Sequence, residues 1–258
     1  MSRYFITFSY DGTNYHGWQI QPNANTVQQE LQRALSLVLR KDIEVVGAGR
    51  TDTGVHARKM AAHFDWDSPV TDVEKDSASG FLPMEYKQLV YRLNRVLPRD
   101  ISVLDVFPVS PDMHARFSAT SRTYHYYIHT HKNPFERHYS LEIHYPLDFE
   151  MMNKAAKLFL EHNDYAAFCK AGGDNKTTIC HVTKARWIQV SPTSWYFEIT
   201  ANRFLRNMVR AVVGTLIDLG RGKISMEQFQ EILNKGTRSD AGESMPGNAL
   251  FLEDVSYN

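Results

Sequence analysis

The chain is short of several things, and each shortage closes off a class of protein. Only two cysteines occur in 258 residues, Cys169 and Cys180. Two are too few for a disulfide framework, and they lack the CxxC pairing of a structural zinc site, so buried free thiols are expected. No apolar run approaches the roughly 18 residues that a membrane span requires. The opening Met1-Ser2-Arg3-Tyr4-Phe5-Ile6-Thr7 shows no basic region followed by an apolar stretch and a small-residue cleavage site. A cytoplasmic location without a membrane partner is therefore expected. Neither charge is in excess, with Lys plus Arg and Asp plus Glu at 29 each, so the balance alone gives no sign of a nucleic-acid partner.

What is present is a globular composition, 43% apolar and 12% aromatic, in a chain long enough for one large domain or two of roughly 100 to 150 residues. Its charge is unevenly spread. Segment 65 to 76 carries Asp65, Asp67, Asp72, Glu74 and Asp76 against Lys75. Segment 113 to 138 carries Arg116, Arg122, Lys132 and Arg137 against Glu136, together with five of the eleven histidines.

Aromatic and β-branched residues over 3 to 10, stopped by Asp11-Gly12, predict a strand. Thr26 precedes Val27, Leu31, Leu35 and Val38 at helical spacing, with Gln29 placed to close a capping box on a helix ending near Lys41. Strands over 43 to 48 and 60 to 66 follow, then a helix on Leu89, Leu93, Val96 and Leu97 stopped by Pro98, and a strand over 101 to 109. This is the β-α-β-β-α-β order of a ferredoxin-like unit. The remainder predicts strands over 123 to 130, 182 to 190, 195 to 200 and 250 to 255. Helices are predicted over 149 to 160 behind an Asp148 cap, over 204 to 219 and over 226 to 233. The expected fold class is α+β, two ferredoxin-like (β-α-β-β-α-β) halves spanning 1–110 and 111–258.

Three stretches carry chemistry. In Gly47-Ala48-Gly49-Arg50-Thr51-Asp52-Thr53-Gly54-Val55-His56-Ala57-Arg58 a single carboxylate sits in a glycine-rich loop between two strands. Such an Asp either bonds its own backbone as an ordinary turn residue or is presented to a ligand. GxGxxG is nearly spelled here, but a strand follows where a dinucleotide site needs a helix. The guanidinium groups of Arg50 and Arg58 favour the charged form of Asp52, which suits a nucleophile or an electrostatic stabiliser better than a proton donor. They also oppose a metal on Asp52, His56 and His63. Basic and aromatic residues interleave over 115 to 127, placing Tyr124 and Tyr126 on one face of a strand and His125 and Tyr127 on the other. That pattern fits either an ordinary strand or a surface on which aromatics stack bases and arginines meet phosphates. On the helix over 204 to 219, Arg203, Arg206, Asn207 and Arg210 fall within about a third of the circumference, as a solvated face or an anion site.

With these segments assembled, the sequence resembles the tRNA pseudouridine synthase A (TruA) family. The matching blocks are Tyr10-Asp11-Gly12-Thr13 with Gly17-Trp18-Gln19, Thr26-Val27-Gln28, Gly47 to Ala57, Leu93-Asn94 with Leu97-Pro98 and Asp100-Ile101, His114 to Ser118, and Met208-Val209-Arg210 with Val213-Gly214. The resemblance implies a pseudouridine synthase fold with a central cleft, and an isomerase that converts uridine to pseudouridine at positions 38, 39 and 40 of the tRNA anticodon arm. It implies no cofactor and no metal, tRNA as partner, and a cytoplasmic homodimer. Carried over by motif, Asp52 is the nucleophile, Tyr124 lies against the target base, and Arg210 holds the aspartate ionised. Arg50 and Arg58 are expected to bind substrate, Arg50 by filling the space of the flipped nucleotide. Thr53 stands where Ala is frequent in the family, Thr177 where Arg is frequent, and the acidic insertion at 65 to 80 matches no family block. A non-catalytic RNA-binding module of the same fold and a metal-dependent nuclease using Asp52 and His56 are the competing readings.

Flipping a uridine out of its stack costs a few kcal/mol, and stacking it on an aromatic returns roughly 1 to 3 kcal/mol. Phosphate contacts must then supply much of the affinity. The expected outcome in a filter-binding titration is a steep fall in tRNA affinity between about 50 and 200 mM salt, despite the neutral net charge; a flat profile would count against an RNA substrate.

Overall fold

The computed structural model describes residues 2–67, 85–170, 172 and 176–257. The chain forms two compact units, one of Met1–Thr120 with Asp254–Asn258 and the other of Ser121–Glu253. It is a mixed α+β protein. No helix among the described residues is long and apolar enough to cross a membrane.

The first unit contains, in order, β1 (Ser2–Tyr10), α1 (Val27–Leu39), β2 (Val46–Gly47), β3 (His56–Trp66), α2 (Tyr86–Val96) and β4 (Ile101–Val109). β1 pairs antiparallel with β3 on one side and β4 on the other, and β2 extends the sheet beyond β3. The two-residue period of β1 buries Tyr4, Ile6, Phe8 and Tyr10 on one face and Phe5 on the other. Val27, Leu31, Ala34, Leu35 and Leu39 of α1 are buried, as are Leu89 and Leu93 of α2. Asn94 ties α2 to the sheet: its side chain accepts the Val103 N–H at 2.7 Å and donates to the Val103 carbonyl at 2.9 Å. Leu97 and Pro98 then end the helix in extended backbone.

The second unit holds β5 (Ala119–His129), β6 (Leu141–Glu142), α3 (Phe149–Leu158), β7 (Val182–Ser191), β8 (Ser194–Ala201), α4 (Met208–Gly220) and α5 (Met226–Lys235). β8 pairs antiparallel with both β5 and β7. β9 (Leu250–Tyr257) runs from the second unit into the first. Asp148 caps α3 as expected, accepting the Met151 N–H at 2.8 Å. α4 is buried on nearly every side, and Gly220 allows close packing there, since a Cβ would lie 2.3 Å from the Met152 sulfur.

Four local expectations need correction. The capping box of α1 does not form: the Thr26 hydroxyl is fully buried and has no hydrogen-bond partner among the described residues. The neighbouring Gln28 instead bridges the Ile20 N–H and the Val45 carbonyl, at 2.9 and 2.7 Å. The strand over 43 to 48 shrinks to β2, because Ser36 and Gln32 of α1 accept the N–H groups of Ile43 and Val45 that a ladder would have used. α4 begins at Met208 rather than 204. Asn207 before it is left-handed with φ +66°, so Arg203, Arg206 and Asn207 precede the helix and form no stripe on it. Cys180 is a buried free thiol, but Cys169 is only half-buried. Of the acidic segment, Asp65 makes a two-pronged pair with Arg3, both contacts at 2.8 Å, and Asp67 pairs with Lys41 at 2.8 Å. Asp72, Glu74, Lys75 and Asp76 lie outside the described residues.

His63 on β3 is 5% exposed, and its Nδ1 accepts the Ala115 N–H at 3.1 Å. Burial, then the nearby Arg3 and His114, bring its pKa down from 6.5 to about 4. A neutral ring in the fold and a titrating ring in the unfolded chain give stability that is complete above pH 6.5 and drains away as pH falls toward 4. Relative to His63→Gln, which keeps an acceptor, the native protein should lose on the order of 2 kcal/mol between pH 7 and 4.5. Urea unfolding of both proteins at the two pH values measures this, and parallel losses would refute it.

Candidate active site

The Asp52 loop is held by the segment that follows β1. Tyr10, the last residue of β1, places its hydroxyl 2.9 Å from the Thr51 hydroxyl. Gly12 donates its N–H to His56 Nδ1 at 2.9 Å, Trp18 donates to the Thr51 carbonyl at 3.3 Å, and Gly54 donates to the Tyr15 carbonyl at 3.3 Å. Three glycines make this approach possible. A Cβ on Gly12 would lie 2.0 Å from the Val55 carbonyl oxygen, one on Gly17 would lie 2.3 Å from that of Thr51, and one on Gly47 would meet the Trp18 ring at 2.5 Å. Trp18 in turn stacks on Phe8 of the sheet core, with centroids 5.5 Å apart.

Within the loop, Val55 donates to the Asp52 carbonyl at 3.2 Å, closing a turn in which Gly54 takes φ +75°. Only glycine readily occupies the third position of such a type II turn. Asp52 is thus the first residue of a tight turn at the mouth of β3, and it is half-buried. The base of the assembly is tied down by Asp100, which accepts from the Tyr15 hydroxyl at 2.6 Å and whose carbonyl accepts the Asp11 N–H at 2.9 Å. Burial, then the Asp100 contact, push the Tyr15 phenol far above its ordinary pKa, so it stays a neutral donor. In the sequence Tyr10, Gly12, Gly17 and Asp100 stand out only as parts of the family blocks, and Tyr15 not at all; the structure shows that they hold the loop.

Arg50 and Arg58 flank the loop and are exposed. His56 Nδ1 accepts the Gly12 N–H and His63 Nδ1 accepts the Ala115 N–H. Among the described residues, no three His, Cys, Asp or Glu side chains are grouped to hold a metal ion.

Tyr124 and Arg210 belong to the second unit. Tyr124 on β5 is half-buried and meets Phe204 edge-on at 5.1 Å, a supporting ring that the sequence reading assigned to a helix. Arg210, in the first turn of α4, donates from Nε to the Met245 carbonyl at 2.5 Å, while Tyr126 donates to the next carbonyl, Pro246, at 3.0 Å. The segment carrying these carbonyls lies directly on α4. A Cβ on Gly214 would fall 1.9 Å from the Glu243 carbonyl oxygen, and Thr215 Oγ1 accepts the Gly242 N–H at 2.8 Å. Asp52, Arg50 and Arg58 are carried by the first unit.

The family described as tRNA pseudouridine synthase matches residues 6–118 and 155–258. A tRNA pseudouridine synthase A of Bacteroides fragilis is 52% identical over all of this chain and 97% of its own length. One of Bacteroides thetaiotaomicron is 51% identical over all of this chain and 91% of its own length, and one from a Thermoanaerobacter species is 40% identical over the full length of both. The chain belongs to the tRNA pseudouridine synthase family. The first matched stretch contains the whole Asp52 loop and the segment that holds it, and the second contains Arg210. Tyr124 falls between the two family-matched stretches, within the span that the full-length relatives cover.

The Asp52 loop depends on glycine at close quarters, which a pair of substitutions tests. Gly222 also has positive φ, +76°, but open space around it, so Gly222→Ala should cost only the backbone penalty of about 1 to 2 kcal/mol. Gly17→Ala adds the collision with Thr51 and should cost a further 1 to 3 kcal/mol or so. Equal losses in urea unfolding would show that the segment and the loop are not locked together.

Proposed function

We propose that this protein isomerises uridine to pseudouridine at positions 38, 39 and 40 of the tRNA anticodon arm, with Asp52 as nucleophile and with neither cofactor nor metal. Family membership supports the reaction class and the RNA substrate. The observation that carries the choice of Asp52 is its presentation on a turn locked from beneath by Gly12, Gly17 and Trp18. A carboxylate that merely closed its own turn would not require that scaffold. In the proposed roles Tyr124 lies against the target base, Arg210 is the catalytic cation, and Arg50 and Arg58 bind the RNA. The strand order of the first unit, β4-β1-β3-β2 with two intervening helices, supports a ferredoxin-like half. The protein is read as a cytoplasmic homodimer.

The chemistry balances without a co-reactant. The N1–C1′ bond of uridine breaks, a C5–C1′ bond forms, the proton on C5 leaves, and N1 gains one. A carboxylate serves this by attack at C1′ of the sugar or C6 of the base, or by stabilising charge while a proton leaves C2′. Arginine and an aromatic face serve the rest, holding an anionic substrate and a base that must rotate without escaping.

Incubation with an unmodified tRNA transcript, followed by carbodiimide labelling and primer extension, tests the assignment. Wild type should mark the anticodon arm, and Asp52→Asn should be slower by at least about a thousandfold while still binding the RNA. Equal product from both would refute the role of Asp52. Binding without product from either would favour the RNA-binding module, and cleavage of the transcript that strong chelation abolishes would favour the nuclease.

A further inference from the structure

Phe117 is 76% exposed, yet it stands on a turn whose backbone is held by hydrogen bonds throughout. All five consecutive backbone N–H groups from His114 to Ser118 are satisfied. Those of His114 and Ser118 pair with the Ser118 hydroxyl and the His114 carbonyl, both at 2.9 Å. Those of Arg116 and Phe117 converge on His114 Nδ1 at 3.1 and 3.3 Å, and that of Ala115 goes to the buried His63 at 3.1 Å. The rings form a chain from core to surface. His63 meets His114 at 4.6 Å, and His114 backs Phe117 at 4.4 Å, tilted by 37°. The Arg116 guanidinium carbon sits 5.6 Å from the Phe117 centroid.

Single exposed apolar side chains are ordinary, but an exposed ring with a fixed backbone and a ring behind it has already lost most of the freedom that binding would remove. Its companions in the turn are His114, Arg116 and Ser118, too polar to make the apolar core of a protein contact. An aromatic face beside a guanidinium is what an unpaired base and its phosphate require.

We propose that Phe117 is a stacking platform for an unpaired base of the tRNA other than the reacting uridine, with Arg116 meeting an adjoining phosphate. This rests on the synthase reading above, in which Tyr124 faces the target base. Stacking demands a ring rather than apolar bulk, and it contributes no charge.

Equilibrium binding of a tRNA transcript to the full-length protein and to Phe117→Ala, Phe117→Leu and Phe117→Tyr tests it. Ala and Leu should weaken binding about 5- to 150-fold, the range for losing one stacked base, and Tyr should restore it to within about twofold of wild type. The dependence of log Kd on log salt should keep its slope in all three, whereas Arg116→Gln should reduce that slope by about one unit. Wild-type affinity in Phe117→Ala, or in Phe117→Leu, overturns the proposal. A change in sedimentation with unchanged RNA affinity also overturns it and assigns the ring to a protein contact. If the wild-type protein itself fails to bind tRNA, the synthase reading falls first and this one with it; binding by wild type and Phe117→Ala alike sinks the platform alone.

Discussion

The fit between two pieces of backbone, the segment from Tyr10 to Trp18 and the loop from Gly47 to His56, is the constraint on which the candidate site depends. Glycine permits it, because the facing carbonyl oxygens lie where a Cβ would otherwise be, at 2.0 Å for Gly12 and 2.3 Å for Gly17. The hydrogen bonds across the contact then repay the desolvation of the paired groups, which makes the loop an extension of the sheet rather than a mobile tip. A nucleophile gains from such rigidity, since a carboxylate that need not be ordered when substrate arrives loses no free energy to ordering.

Around the helix Met208–Gly220 a similar rule operates. Gly214 and Gly242 let the 241–246 segment run along the helix, Thr215 accepts the Gly242 N–H, and Arg238 donates to the Gly242 carbonyl at 3.0 Å. Arg210 donates from Nε to the Met245 carbonyl, so the backbone of this segment helps to orient the guanidinium. Both candidate catalytic side chains are thus presented by glycine-mediated backbone contacts, although they belong to different units.

Much of this was legible in the sequence. Period-two burial in residues 3 to 10, the Asp148 cap and the stop at Pro98 each follow from local rules that tertiary structure had no reason to overrule. Two of the errors lie where a partner distant in the chain claims a backbone group that the expected element would have used. Ser36 and Gln32 took the N–H groups that would have extended a strand through Ile43 and Val45. The box expected of Thr26 and Gln29 did not form, and the adjacent Gln28 bridges the Ile20 N–H and the Val45 carbonyl. Apolar periodicity ran smoothly through Phe204 and Leu205, but Phe204 packs against Tyr124 and Arg206 offers its carbonyl to Lys170 at 3.1 Å, so the chain cannot also coil there.

By itself, then, the sequence determined the order of elements, the reaction class implied by its motifs, and the residue types available for chemistry, because these depend on neighbours in the chain. It placed Asp52 in a glycine-rich loop and marked His114 to Ser118 as a motif without assigning it a role. Tertiary structure decided which glycines are indispensable, where the long helix starts, and that Phe117 is exposed on a fully hydrogen-bonded turn. Those outcomes turn on contacts between residues as far apart as Gly17 and Thr51, or His63 and Ala115, and such contacts exist only once the sheet has brought them within reach.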